Sequence, residues 1–345
     1  MKVNYLNVGN KWSMSFLQEI IELNKDSIGA EKALVNSLYG DAASADSMGV
    51  RPINRLPEAD CEIQDYIMEA NANSIVINFT LNKPCLGAYP GIKEVVSRVE
   101  ELFKKFGNGI MFTVASPFLI HHLDNIGVPL ELSTIANQTS VNFIGGVLEK
   151  FDNIHKVCLP IYMNRDFESL KKLTNKFPSV VFELIVNEFC VSALNTCIFR
   201  ADCYNCQSHN IYPNDLFTLC SAYRRTNKSS WLKAPFILPS WLNLYNEYTN
   251  INQFKLTGRT LPTKILMENI KRYRQGSFNG DLTELWGAPL QGQGKLEKTV
   301  NTQEIDGYPF IEHFLSTPFM CNLDLCGSDC TYCDIQYRRM GGSNE

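Results

Sequence analysis

The chain has 345 residues, 45% hydrophobic and 20% charged, which excludes a disordered chain and leaves room for one large core or two domains. A formal net charge of -4 excludes a global field that would draw the protein to nucleic acid or an anionic membrane, so any RNA contact has to be local. The opening MKVNYLNVGNKW lacks a signal-peptide core and no apolar run nears about 18 residues, so no membrane insertion and a cytoplasmic location are expected, with the twelve cysteines as reduced thiols or metal ligands.

In chain order, the first strand is expected at 3–8 (VNYLNV) and is followed by the amphipathic SFLQEIIELNK. Strands at 32–39 and 74–81 enclose the helical IQDYIMEANA, and strands at 109–116 and 129–136 follow IKEVVSRVEELFKKF. The helical VNFIGGVLEKF leads to a strand at 155–162, FESLKKLTNKF to one at 179–187, and QFKLTGR at 253–259 is followed by PTKILMENIKRYRQ. Most of these strands are rich in Val, Ile, Leu or Phe, as strands covered on both faces tend to be. Eight strands alternating with helices over residues 1–281 predict a (β/α)8 TIM-like barrel, with an open doubly wound sheet as the competing architecture.

The alternation breaks twice. Residues 190–252 form a cysteine-rich insertion after the seventh strand, at the barrel end where active sites gather, and 282–345 reads as a C-terminal extension of loops with its own cysteines. The insertion holds Cys190, Cys197, Cys203, Cys206 and Cys220, and the extension Cys321, Cys326, Cys330 and Cys333. Closely spaced thiolates suit zinc or an iron-sulphur cluster, because ligands on one turn chelate an ion at little additional conformational cost. Cys61, Cys85 and Cys158 stand singly and read as small packing hydrophobes.

Polar residues at strand ends complete the candidate site. Asn82, Thr134, Asn137, Gln138 and Asn187 are candidate substrate-binding residues, and Arg200, Lys255 and Arg259 are candidates for an anionic group. Glu183, Glu188 and His209 are the candidate catalytic acids and bases, although the odd spacing of the two glutamates sends them to opposite faces of a regular strand. His121 and His122 sit near an expected helix start, and His155 and His313 read as surface or capping residues. No GxSxG, HExxH, Walker-type or dinucleotide-binding glycine pattern is present.

Several of these segments together resemble the collagenase-like peptidase U32 family. They are LYGD at 38–41, LNKPCLG at 81–87, VASPFLI and ELSTIANQ within 114–138, FELIVNEFC at 182–190 followed by Cys197-Ile-Phe-Arg and Ser208-His209, and FKLTGR at 254–259. The resemblance spans roughly residues 30–280. It implies a barrel-like fold and, as in members that assist oxygen-independent ubiquinone ring hydroxylation or hydroxylate RNA bases, a 4Fe-4S cluster on four cysteines. Cys190 and Cys197 reproduce the C-x6-C pair of those members, and Cys220 stands near their third ligand. The fourth has no counterpart in FILPSWLNLYNEYTN, which passes the role to the tail, with Cys333 as the assignment and Cys321, Cys326 or Cys330 as alternatives.

The expected function is therefore a U32-like iron-sulphur enzyme carrying out an oxygen-independent hydroxylation or related redox step at the barrel mouth. The alternatives are a U32-type peptidase, in which a metal such as zinc is structural, and a non-catalytic iron-sulphur subunit of a heterodimer with a related chain. Peptide, RNA and a small aromatic molecule all stay open as substrates.

Overall fold

The computed structural model describes residues 3–26, 32–41, 62–82, 92–136, 140–188, 190, 222–286, 300–307, 310–316 and 329–342. Eight parallel strands pair in sequence order: β1 (Tyr5–Gly9), β2 (Leu34–Gly40), β3 (Val76–Leu81), β4 (Ile110–Val114), β5 (Leu130–Leu132), β6 (Ile154–Cys158), β7 (Val181–Ile185) and β8 (Gln253–Leu256). β8 returns to pair with β1, Tyr5 against Gln253 through Val8 against Leu256, so the sheet is a closed barrel and not the open doubly wound alternative. The close fit at this seam is visible at Gly9, where a Cβ would lie 2.9 Å from the backbone nitrogen of Arg259.

Six helices follow the first six strands: α1 (Met14–Lys25), α2 (Ile63–Ala72), α3 (Ile92–Phe106), α4 (Pro117–Asp124), α5 (Val141–Lys150) and α6 (Phe167–Lys176). Each turns an apolar stripe to the barrel; in α3 that stripe is Ile92, Val95, Val96, Val99, Leu102, Phe103 and Phe106, at helical spacing. Local capping fixes some starts. Ser140 Oγ accepts from the Phe143 amide at 3.1 Å to begin α5, and Asp166 Oδ1 accepts from the Ser169 amide at 3.0 Å to begin α6.

Two strands are shorter than their apolar runs. β5 stops at Leu132 because Ser133 Oγ takes up the Ile135 amide at 3.2 Å and the chain enters a 3-10 turn at Thr134–Ala136. β6 stops at Cys158, two residues before Pro160, which has no amide hydrogen to continue a ladder and leads into a 3-10 turn at Ile161–Arg165. His121 and His122 occupy the last turn of α4, not its start, since Ser116 and Pro117 begin the helix.

Between β7 and β8 the described part of the insertion carries α7 (Ser230–Lys233) and α8 (Leu242–Thr249). Its apolar segment comes back onto the barrel, where the Ile237 amide donates to the Val186 carbonyl at 2.9 Å. Asn164 Nδ2 bridges the carbonyls of Ile185 at 2.8 Å and Pro235 at 2.7 Å, so the end of β7 is held from two sides.

After β8 come α9 (Thr263–Gln275) and, in the extension, α10 (Thr302–Gly307), α11 (Phe310–Ser316) and α12 (Tyr332–Arg339). The extension was expected as loops, and its described residues are largely helical and packed on the barrel. The cause is a short apolar repeat in each helix: Ile305, Phe310, Ile311, Phe314, Cys333 and Tyr337 join the core that also holds Phe236 and Trp241. Arg165 clamps this contact. Its guanidinium lies 5.2, 5.2 and 4.9 Å from the rings of Phe236, Phe310 and Phe314 while donating to the carbonyls of Leu232 at 2.8 Å and Ala234 at 2.5 Å. His313, read as a surface residue, is stacked on Tyr332 with ring centroids 3.7 Å apart.

Candidate active site in the barrel lumen

Inward positions near the middle of the strands carry charge where the surrounding runs are apolar. Glu131 of β5, Lys156 of β6, Glu183 of β7 and Lys255 of β8 meet in the lumen, all buried. Lys156 Nζ lies 3.2 Å from Glu131 Oε2 and 2.7 Å from Glu183 Oε2, and Lys255 Nζ lies 3.1 Å from Glu131 Oε1 and 3.4 Å from Glu183 Oε1. Each ammonium thus bridges both carboxylates, a closed ring of two cations and two anions. Burial of charge at this depth is tolerable only with such pairing.

A second set of polar groups fixes the ring. Asn7 of β1 donates to Glu183 Oε1 at 3.1 Å, Asn78 of β3 donates to Glu131 Oε2 at 2.6 Å, and Thr113 of β4 donates to Asn78 Oδ1 at 2.7 Å. Lys255 Nζ also sits 4.4 Å from the centre of the Tyr39 ring.

Burial alone would raise the Glu131 carboxyl, but Lys156 and Lys255 outweigh it and bring its pKa to about 2. Burial works against the charge of both lysines; Glu131 and Glu183 overcome it and hold Lys156 above its ordinary value, and Cys158 together with the two glutamates holds Lys255 well above. Cys158, two residues beyond Lys156 on the same strand, responds in the opposite sense: burial pushes its thiol far up, so it is protonated at neutral pH. Its Sγ and one oxygen each of Glu131 and Glu183 lie within 4.8 Å of one another.

One sequence relative is substantial. The Methanocaldococcus jannaschii protein named "Uncharacterized protease MJ1657" is 27% identical over 282 residues, which is 79% of each chain. The chain resembles the U32 peptidase family. No family model matches it. Among solved structures, the U32 peptidase Mk0906 aligns with a TM-score of 0.46 at 12% identity, over 74% of this chain and 92% of that one. The spore coat polysaccharide biosynthesis protein SpsE of Bacillus subtilis aligns with a TM-score of 0.37 at 12% identity, over 89% and 76% of the two chains.

Within the barrel the expected site residues separate into groups. Glu183 and Lys255 are brought together in the ring, while Glu131, Lys156 and Cys158 beside them were not read from sequence as site residues. β7 ends at Ile185, so strand parity does not reach Glu188, which is half-buried beyond it. Asn187 is fully buried and spans the β7 and β8 ends: its Oδ1 accepts from the Thr257 amide at 2.7 Å and hydroxyl at 3.1 Å, and its Nδ2 donates to the Thr257 carbonyl at 3.0 Å. Asn82 and Thr134 follow β3 and β5 with their Oδ1 and Oγ1 buried and without a hydrogen-bond partner among the described residues. Arg259 is buried at the seam of β1 and β8.

Of the cysteines assigned to metal, Cys190 is half-buried beyond β7 and packs on a small cluster of Cys158, Ile161 and Ile185. Cys333 is in the main core on α12, its Sγ 3.5 Å from the Leu232 carbonyl, and Cys330 is half-buried just before that helix. Asn137, Gln138, Cys197, Arg200, Cys203, Cys206, His209, Cys220, Cys321 and Cys326 lie outside the described residues.

No helix among the described residues is long and apolar enough to cross a membrane.

Proposed function

We propose that the chain is a U32-like enzyme that modifies a substrate at the C-terminal mouth of its barrel, with Cys190 as first ligand of a 4Fe-4S cluster and an oxygen-independent hydroxylation or related redox step as its reaction. The observation that carries this reading is the position of Cys190: five residues past the end of β7, it packs on Cys158 and Ile185 at the mouth above the charged ring. That is the barrel face on which chemistry is assembled. The donor chemistry fits an iron-sulphur group in that a thiol stands at the mouth, packed against the buried thiol of Cys158. Cys197 and Cys220 are the next ligands in this reading. When bound, the cluster supplies one-electron chemistry that no side chain offers.

The chain's own residues form a rigid floor. Asn7, Asn78 and Thr113 fix the carboxylates, and the lysines hold the ring neutral, so water and stray protons have little access to the bottom of the site. Glu131 is ionised near neutral pH, so it does not serve as the acid of a hydrolytic reaction.

A second reading, a peptidase, is favoured by the protease name of the M. jannaschii relative. In it Glu188 or His209 activates water and any metal, zinc included, is structural. Purification without air separates the two. Redox chemistry requires a brown protein with iron and sulphide that falls in the Cys190→Ala and Cys197→Ala variants. A colourless protein holding only zinc, or one that releases new N-termini from offered peptides and loses that activity in Glu188→Gln, overturns it.

A further inference from the structure

Cys158 reads in sequence as a packing residue, and it is buried beside Ile161 and Ile185, but charged groups meet its sulphur from the other side. It ends β6 on the lumen side, and with Ile161 and Ile185 it forms a small buried cluster distinct from the main core, on which Cys190 packs. Below it are two carboxylates and two ammonium groups, and its Sγ is within 4.8 Å of an oxygen of each carboxylate. A residue needed only to fill volume beside such a ring would serve as well as Ala or Val, with no polarizable donor.

We infer that Cys158 is a metal ligand, binding through its thiolate in the same centre as Cys190. The inference rests on the reading of Cys190 as a cluster ligand and supplies the ligand that the sequence pattern lacks. Three features support it. Cys158 is contributed by a rigid strand, which fixes a ligand better than a loop does. The carboxylates near its sulphur are already paired with Lys156 and Lys255, and the sulphur, which faces Lys255 as they do, is the one of the three donors that no hydrogen bond or ion pair holds among the described residues. Finally, the ring is neutral as it stands, so a thiolate added at this depth requires a compensating positive charge, and a bound metal ion provides it. On ligation the S–H bond breaks, its proton leaves to solvent, and a sulphur–metal bond forms; no electron is transferred and no further reactant is needed.

The placement of Cys333 makes the alternative testable. Its thiol lies in the main core against the Leu232 carbonyl, in a different contact cluster from Cys190.

The experiment compares the full chain purified without air with its Cys158→Ser, Cys158→Ala, Cys190→Ser and Cys333→Ser variants. The measurements are iron and sulphide per chain, the electron paramagnetic resonance of the dithionite-reduced protein, and the melting curve of each variant. Retention of a cooperative melt by either Cys158 variant certifies the fold. The expected result is that Cys158 and Cys190 variants lose at least half of the iron with an altered or absent resonance, while Cys333→Ser keeps both. Iron, sulphide and resonance at the parent level in a folded Cys158 variant overturn the inference and leave the cluster reading standing. A parent protein without iron overturns both.

Discussion

Replacing Glu131 by Gln is the most direct test of the lumen ring. The substitution keeps the shape and keeps an acceptor for Asn78, but it leaves the ammonium groups of Lys156 and Lys255 facing the single carboxylate of Glu183 in a site with almost no water. The lost partners are at 3.1 and 3.2 Å, and removal of one member of a buried pair costs on the order of 3–5 kcal/mol because a charge is left uncompensated. For a chain of this size that is a fall in melting temperature of about 4–7 °C. Urea unfolding followed by tryptophan fluorescence reads the change at neutral pH, with metal content matched between variants. The surplus ammonium makes a second prediction for the same variant. One lysine then has a folded pKa below its unfolded value, so Glu131→Gln regains stability relative to the parent as pH rises through that folded value. Adding Lys255→Met restores neutrality, and the double variant is expected to be more stable than Glu131→Gln alone. A single variant within about 0.5 kcal/mol of the parent, the scatter of an ordinary surface change, refutes the claim that the ring is a coupled unit.

Acid stability follows from the same carboxylate. The Glu131 pKa is lowered from 4.5 to about 2 on folding, so its contribution is complete above pH 4.5 and is lost as pH falls towards 2, on the order of 3 kcal/mol in total. Between those values Glu131→Gln should show a flatter loss of stability than the parent in acid titrations read by circular dichroism, and equal slopes would contradict the assignment. Arg165→Ala removes two hydrogen bonds to the carbonyls of Leu232 and Ala234 and the contact with three rings, a loss of about 3 kcal/mol measured by thermal melting. Asn187→Ala leaves the Thr257 amide and hydroxyl without their acceptor and is expected to cost about 2 kcal/mol in urea unfolding. A substrate-affinity defect in Asn187→Ala with unchanged stability would return that residue to a binding role.

The barrel was legible because each strand carries its own signal. The runs VNYLNV, SIVINFTL and QFKLTGR need no distant partner to read as strands, and IQDYIMEANA and IKEVVSRVEELFKKF match α2 and α3 at both ends. Strand ends were less clear, since the stops after Leu132 and Cys158 come from a side chain capturing a nearby amide and from Pro160, which an apolar count passes over. The ring was only half read. Glu183 and Lys255 were singled out for lying near the expected strand ends, whereas Glu131 and Lys156, in PLELS and IHKVC, were passed over within apolar strands. Their partners are far along the chain, Glu131 and Lys255 being 124 positions apart, and no local pattern announces such a pairing. A signal was nevertheless present. A lone charge inside a strand expected to be covered on both faces has to find its opposite in the lumen, and four such charges of balanced sign on four consecutive strands, β5 to β8, predict a ring.

The same rule bears on Cys158, which reads in sequence as a small packing residue and is buried in the barrel beside Ile161 and Ile185. Its spacing from other cysteines is that of a packing residue, and sequence distance was the only criterion available for grouping thiols. In a closed parallel barrel, residues at the ends of neighbouring strands converge whatever their separation along the chain, and β6 and β7 pair Cys158 directly with Glu183. A donor set in such a fold is assembled around the mouth, strand by strand, so the cysteine adjacent to Cys190 is found by following strand order to β6 and not by following the chain into its tail.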